Sequence, residues 1–218
     1  MMWHVYQKAI ISDIFDEIII ATDNEMILRT AENLNLNAIM TSEKHKTGTD
    51  RLVEVSEKID SDIYVNLQGD EPFVSPELIQ ILTNKLLENK DTEVLSVNAY
   101  EEISTHEDIL SLDTVKVIFS KKNNLIALSR LPIPSSKLLN CKYYKHLGIY
   151  SFTKKGLRAF SSLKPSYLEK SENIEMYRLL ENDYRIKMVE SKWKSIGVDT
   201  YDDLKKSRVY FQASNSMK

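Results

Sequence analysis

The chain predicts an α/β fold on a largely parallel sheet, and two observations carry that expectation. Short β-favouring apolar runs alternate with segments whose apolar positions fall on one helical face. The polar clusters able to do chemistry come directly after those runs, and ligands of open α/β sheets bind beyond the carboxyl ends of the strands.

The elements follow in order. Val5, Ala9 and Ile10, with Trp3 and Tyr6 between them, give residues 2–12 a helical period. "DEIIIATDNEMILRTAENLNL" predicts a strand at 17–21, a polar turn at Thr22 to Asn24 and a helix over 25–34, half of a βαβ unit. A short strand follows at 37–42, then a Gly-containing loop and a helix on which Leu52, Val55 and Ile59 share a face. "IYVNLQGDEPFVSPELI" reads as a strand at 63–67 that stops abruptly in Gln68, Gly69, Asp70 and Glu71, before a helix from Pro76 to about Glu88. "TEVLSVNAY" is a strand, and "TVKVIFSKKNNLIALSR" is a hairpin turned at "SKKNN". After the loop "LPIPSSKLL" come a strand in "KHLGIYSFT", a helix at "KKGLRAF", one long helix over "PSYLEKSENIEMYRLLENDY", and a strand at "RIKMVES". "GVDTYDDLKKSRVYF" turns into a last helix, which places one domain over 1–208 and a tail over 209–218.

Composition narrows the function. A chain of 218 residues is long enough for one substantial core. No apolar run approaches the roughly 20 residues needed to cross a bilayer. The net charge of −3 provides no broad basic field for nucleic acid, so a bound polyanion must be small and held locally, as a free nucleotide would be. Cys141 stands alone, which excludes an intrachain disulfide and makes a reducing cytoplasm the default. His4, His45, His106 and His146 are scattered without zinc-ligand spacing.

Four polar clusters lie at expected strand ends: Thr22-Asp23, "TGTDR" at 47–51, Gln68 to Glu71, and Gly197-Val198-Asp199. Asp70 and Asp199 suit a shared hard cation, because Mg²⁺ takes one or two carboxylates plus substrate phosphate oxygens. Either could equally be a turn former or helix cap. Gly48 lets backbone approach a ligand, and "TGTDR" could also be a plain helix start capped by Thr49. Alternation puts His146, Gly148 and Tyr150 on one strand face. Helical spacing puts Glu169, Glu172 and Glu175 in a row with Arg178 beyond, either a solvated face or the wall of a sugar-binding cleft.

"MTSEKHKTGTDRLVEV", "VNLQGDEPFVSPELI", "ALSRLPIP", "KHLGIYSF", "PSYLEKSENIEMYRLLE" and "GVDTYDDLKK" follow in an order and spacing that resembles the 3-deoxy-manno-octulosonate (Kdo) cytidylyltransferases, from residue 1 to about 208. The resemblance implies a Rossmann-like nucleotide-diphospho-sugar transferase fold, a homodimer, and the conversion of CTP and Kdo to CMP-Kdo and pyrophosphate for lipopolysaccharide synthesis. It implies Mg²⁺ on Asp70 and Asp199, with Gln68 catalytic beside the sugar. Thr49, Asp50 and Arg51 fall on the cytidine side, and Arg130, His146, Tyr150 and Glu175 fall around Kdo. One departure stands out. Members of the family open with a strand and a loop bearing an Arg and a Lys for the triphosphate, whereas "MMWHVYQKA" corresponds to the helix that follows, so an N-terminally truncated fold is expected. Its first strand would lie between those at 17–21 and 63–67, and its absence predicts either an open slot there or a direct pairing that displaces Gln68 and Asp70. A synthetase for another CMP-activated acidic sugar, or a non-catalytic dimerising relative, are the alternatives.

Overall fold

The computed structural model describes residues 1–89, 92–135, 141–198 and 200–215. Helix α1 (Met2–Ser12) leads to β1 (Ile20–Thr22), α2 (Glu25–Asn33), β2 (Ala38–Met40), α3 (Gly48–Lys58), β3 (Ile63–Leu67) and α4 (Pro76–Glu88). Strand β4 (Val94–Glu102), a short helix α5 (His106–Leu110), the hairpin β5 (Lys116–Phe119) and β6 (Leu125–Ser129), and the long strand β7 (Tyr144–Thr153) follow. Helices α6 (Lys154–Ser162), α7 (Tyr167–Glu172) and α8 (Tyr177–Leu180), strand β8 (Arg185–Glu190) and helix α9 (Tyr201–Asn215) complete the order.

The main sheet runs β6-β5-β7-β4-β8, with β3 also on β7. Strands β3, β4 and β5 are each antiparallel to β7, and β8 is parallel to β4, so those four point the same way. The expectation of a largely parallel sheet therefore holds for strand direction but not for the ladder. Strand β7 threads antiparallel among the others, and β6 returns against β5. The reason is the middle of the chain, where the β5–β6 hairpin precedes β7 and the described residues between them hold no helical crossover of the kind parallel pairing requires. Residues 136–140, which take in the end of the expected loop "LPIPSSKLL", lie outside the described residues.

Strand β4 is buried along nearly its whole length, as a central strand must be. Helix α4 covers one face of the sheet, where Leu78, Ile79, Leu82 and Leu86 pack on Val97, Ala99, Leu147 and Ile149. Helices α6 and α8 cover the other, where Phe160, Met176 and Leu179 pack with Tyr64, Tyr150 and Phe152. The two-residue period of the strands decides which side chain goes where: Leu147 and Ile149 face α4, while Tyr150 and Phe152 face α6. Gly156 lets α6 press onto β4, since a Cβ there would collide with the Leu95 carbonyl.

Three local expectations change. The long helix over 165–184 is two, because Asn173 ends α7 in the left-handed region at φ 55. The glutamate row is thereby dissolved. "TGTDR" is the first turn of α3, capped by Thr47, whose side chain accepts the Asp50 N–H, and Thr49 is fully buried instead of capping. Helix α9 runs on to Asn215, across the expected domain end at 208.

Strands β1 and β2 form a separate two-stranded parallel sheet. Between β1 and β3 lies a cavity of about 800 Å³ lined by Val5, Ala9, Phe15, Ile18 to Ala21, and Ile63 to Leu67. This is the open slot, the first of the two expected outcomes. It opens at one end onto Gly48, Arg51, Gln68, Gly69 and Asp70. The register turns the amides of Tyr64 and Asn66 toward β7 and those of Val65 and Leu67 toward the slot. Hydrogen exchange resolved by residue is expected to show fast exchange at Ala21, Val65 and Leu67 and slow exchange at Tyr64 and Asn66. Equal protection on both edges of β3 would show that the slot is closed in solution.

Candidate active site

The site begins where β3 leaves β7. Strand β3 occupies one edge of β7 from Thr153 to Ile149, and β5 takes up the same edge at Lys145. In the interval, Gly148 accepts the Gln68 N–H at 3.3 Å and donates its own N–H to Glu71 Oε1 at 3.2 Å. The turn Gln68 to Glu71 thus takes the place of a strand, which is why a core strand can end in two carboxylates and an amide. A Cβ on Gly148 would lie 3.1 Å from Gln68 Oε1 and 3.2 Å from Glu71 Cγ, so any larger residue would have to push these two side chains back by a few tenths of an ångström.

The register carries Gln68, Gly148 and Tyr150 to a common place. Gln68 Nε2 is 3.4 Å from the Tyr150 hydroxyl and 3.5 Å from Glu175 Oε1. Glu175 Oε2 accepts the Thr49 N–H at 2.9 Å, so one buried carboxylate joins the first turn of α3 to the strand-end cluster. Burial pushes its pKa up, opposed by the hydrogen bonds from Thr49 and Thr47. The Tyr150 phenol is raised well above its usual range by burial and then by Glu175, Glu71 and Asp70, so it stays neutral, and its oxygen accepts from Gln68 Nε2.

His146 stacks on Tyr150, ring centroids 5.3 Å apart. Its Nε2 lies 3.3 Å from Asn98 Nδ2, and the Asn98 oxygen receives the Ser96 hydroxyl at 3.0 Å. Asn98 is therefore oriented as a donor to a neutral imidazole. Burial holds the His146 pKa down at about 4. Asn98 and Ser96 were missed by the sequence reading, although two polar side chains at alternate positions of the apolar run "VLSVNAY" are a visible signal.

On the other flank, Arg178 is buried between Asp50 (2.6 Å) and Glu169 (2.5 Å), and its guanidinium lies 3.9 Å over the Phe160 ring. Burial works against the Asp50 carboxylate, but Arg178 prevails and holds its pKa below the usual value. Glu169, Glu172 and Glu175 thus serve three separate purposes, Glu172 receiving the Arg130 N–H at 2.9 Å. Arg51 donates to Asp23 at 2.8 Å and to the Thr41 hydroxyl, tying α3 to the ends of β1 and β2.

Arg130 is not gathered into the Gln68 cluster. Its guanidinium donates to the carbonyls of Glu172 (2.7 Å), Leu112 (2.9 Å) and Asn173 (3.4 Å). The Arg130 carbonyl is held in turn by Lys116, a fully buried ammonium that also reaches the carbonyls of Ser111 and Thr114. Asp70 stands at the mouth of the slot, and its carbonyl accepts the Val198 N–H at 2.8 Å. Asp199 lies outside the described residues, and among those described no group of three or more His, Cys, Asp or Glu could hold a metal ion.

The strand-end cluster adjoins the slot through Gln68, next to Gly69 and Asp70. A profile of the cytidylyltransferase family matches residues 1–189, and the chain belongs to that family. It is 40% identical over 220 residues to the 3-deoxy-manno-octulosonate cytidylyltransferase of Geotalea daltonii, covering 94% of this chain and 85% of that one. It is 38% identical to the Pelobacter propionicus protein of the same name, over 99% of this chain and 89% of the relative. Among solved structures, a CMP:2-keto-3-deoxy-manno-octonic acid synthetase complexed with CTP superposes with a TM-score of 0.89 at 32% identity, covering 98% of this chain and 88% of that one.

The depressed His146 pKa sets a stability window. The folded state binds its proton less readily than the unfolded chain, whose imidazole titrates near 6.5. This stabilisation is present above pH 6.5 and is lost as pH falls toward 4. The half-buried ring limits the loss to about 1–3 kcal/mol. Urea unfolding between pH 7 and pH 4 is expected to show that component in the native chain and not in His146→Gln. The same slope in both would remove His146 as its source.

Proposed function

We propose that the chain is a CMP-Kdo synthetase, transferring the cytidylyl group of CTP to Kdo with release of pyrophosphate. The observation that supports this most is the cluster of Gln68, Tyr150, Glu175 and Thr49 at one strand end, in a chain similar along nearly its full length to a synthetase complexed with CTP. The first turn of α3, with Thr49, Asp50 and Arg51, is the nucleotide side in this reading, where Gly48 and Arg51 line the cavity. Gln68, His146, Tyr150 and Glu175 form the sugar side. Gln68 donates to an acidic sugar without repelling its carboxylate, and neutral Tyr150 and His146 add no charge of their own. Glu175 sits between the two sides and holds the Thr49 amide and the Gln68 amide in one geometry.

In the reaction the sugar's anomeric hydroxyl attacks the α-phosphorus, its proton is released, and the bond from that phosphorus to the pyrophosphate oxygen breaks. The protein's part is to hold the two reactants in line and keep the acceptor oriented. Asp70 is a hard oxygen donor beside the cavity mouth, which suits Mg²⁺, and Asp70 with Asp199 would hold it. When bound, Mg²⁺ neutralises triphosphate charge. Arg130 would grip the sugar carboxylate by exchanging its contacts with Leu112 and Asn173 for the substrate's two oxygens. A homodimer in the cytoplasm belongs to the same reading.

Pyrophosphate release from CTP and Kdo with Mg²⁺ tests it. Asp70→Asn is expected to lower kcat by at least about 100-fold, the scale of removing a group that stabilises transition-state charge, with the thermal transition unchanged. Near-normal turnover in that variant would remove Asp70 from the chemistry. Turnover of a different CMP-activated acidic sugar, with none of Kdo, would reassign the substrate.

A further inference from the structure

The geometry points to Glu71 and Ser195 as a positioning latch that fixes the segment 195–198 over the Asp70 turn. The inference rests on the synthetase reading and adds to it a role for the second carboxylate of the turn. Glu71 is adjacent to Asp70 in sequence, yet its two oxygens have other partners. Oε1 accepts the Gly148 N–H at 3.2 Å, closing the β7 edge where β3 ends. Oε2 accepts the Ser195 hydroxyl at 2.5 Å.

Ser195 is buried and held at every polar group. Its N–H donates to Glu101 Oε2 at 2.9 Å, and its carbonyl accepts from Lys145 Nζ at 2.8 Å, with Lys145 and Glu101 themselves 3.5 Å apart. Three residues on, the Val198 N–H donates to the Asp70 carbonyl at 2.8 Å. One carboxylate thus connects Gly148, which lies between His146 and Tyr150 on the sugar side, to the chain that meets the Asp70 turn from above. A charged acceptor suits this place because it makes both hydrogen bonds strong without needing a donor of its own. Glu71 acts through Asp70, Gly148 and the 195–198 segment and touches no reacting atom, which makes it a positioning residue.

The test compares Glu71→Ala, Glu71→Gln, Ser195→Ala and the Glu71→Ala/Ser195→Ala double variant with the unmodified chain. Pyrophosphate release is measured with CTP, Mg²⁺ and Kdo, and hydrogen exchange is followed at 195–198. Glu71→Ala is expected to lower kcat at least about 30-fold with the KM for CTP within about threefold, and to speed exchange at 195–198 at least about tenfold while β4 stays protected. Ser195→Ala is expected to give a smaller loss, and the double variant to match Glu71→Ala, because the two act as one unit. Glu71→Gln, which can still accept from Gly148 and donate to the Ser195 oxygen, should restore most of the turnover. Additive losses, unchanged exchange at 195–198, or a Glu71→Gln variant as inactive as Asp70→Asn would each overturn the latch, the last by making Glu71 itself a ligand. If the unmodified chain releases no pyrophosphate, the synthetase reading fails by itself and the exchange measurement alone decides the latch.

Discussion

The structure depends on one arrangement, the antiparallel insertion of β7 between β4 and the shared edge of β3 and β5. An edge divided between two strands must be completed somewhere, since buried backbone groups left without partners cost about 1–3 kcal/mol each. Here the completion comes from the turn after β3, through the Gln68 amide and the Glu71 carboxylate on Gly148. The site is a by-product of that closure. It places the polar residues of β3's end against the even-numbered face of β7, where His146 and Tyr150 already stand.

Electrostatics then sort the polar groups by neighbour. Arg178 bridges Asp50 and Glu169, one cation against two carboxylates, and loss of Arg178 would leave Glu169 buried without its cation. Glu175 has no such cation among its described contacts and is held by backbone and side-chain hydrogen bonds, with its pKa raised by burial. Tyr150 and His146 are kept neutral by the same desolvation.

Much of this was legible in the chain. The order of strands and helices followed from periodicity, and the face shared by His146, Gly148 and Tyr150 followed from alternation alone. The open slot was foreseen as one of two outcomes from the family resemblance. What escaped was set by tertiary contact. The direction of β7 depends on which strands it meets across the sheet, which no local pattern encodes. The break at Asn173 is one left-handed residue within an otherwise helical period, and it sent Glu169, Glu172 and Glu175 to different partners. Short α5 carries too few turns for a periodic signal. Lys116, a charged residue in a strand pattern, gave no hint that its ammonium would be buried among three carbonyls.

The central claim is that the strand-end cluster made by the β3–β7 pairing is where the nucleotide and the acidic sugar meet. A crystal structure of the chain grown with CTP, Mg²⁺ and Kdo tests it most directly. The account predicts the sugar against Gln68, His146, Tyr150 and Glu175, with the nucleotide at the first turn of α3 and the phosphates beside Asp70. Sugar and nucleotide bound elsewhere, with the Gln68 cluster unchanged from its present hydrogen bonds, would contradict it.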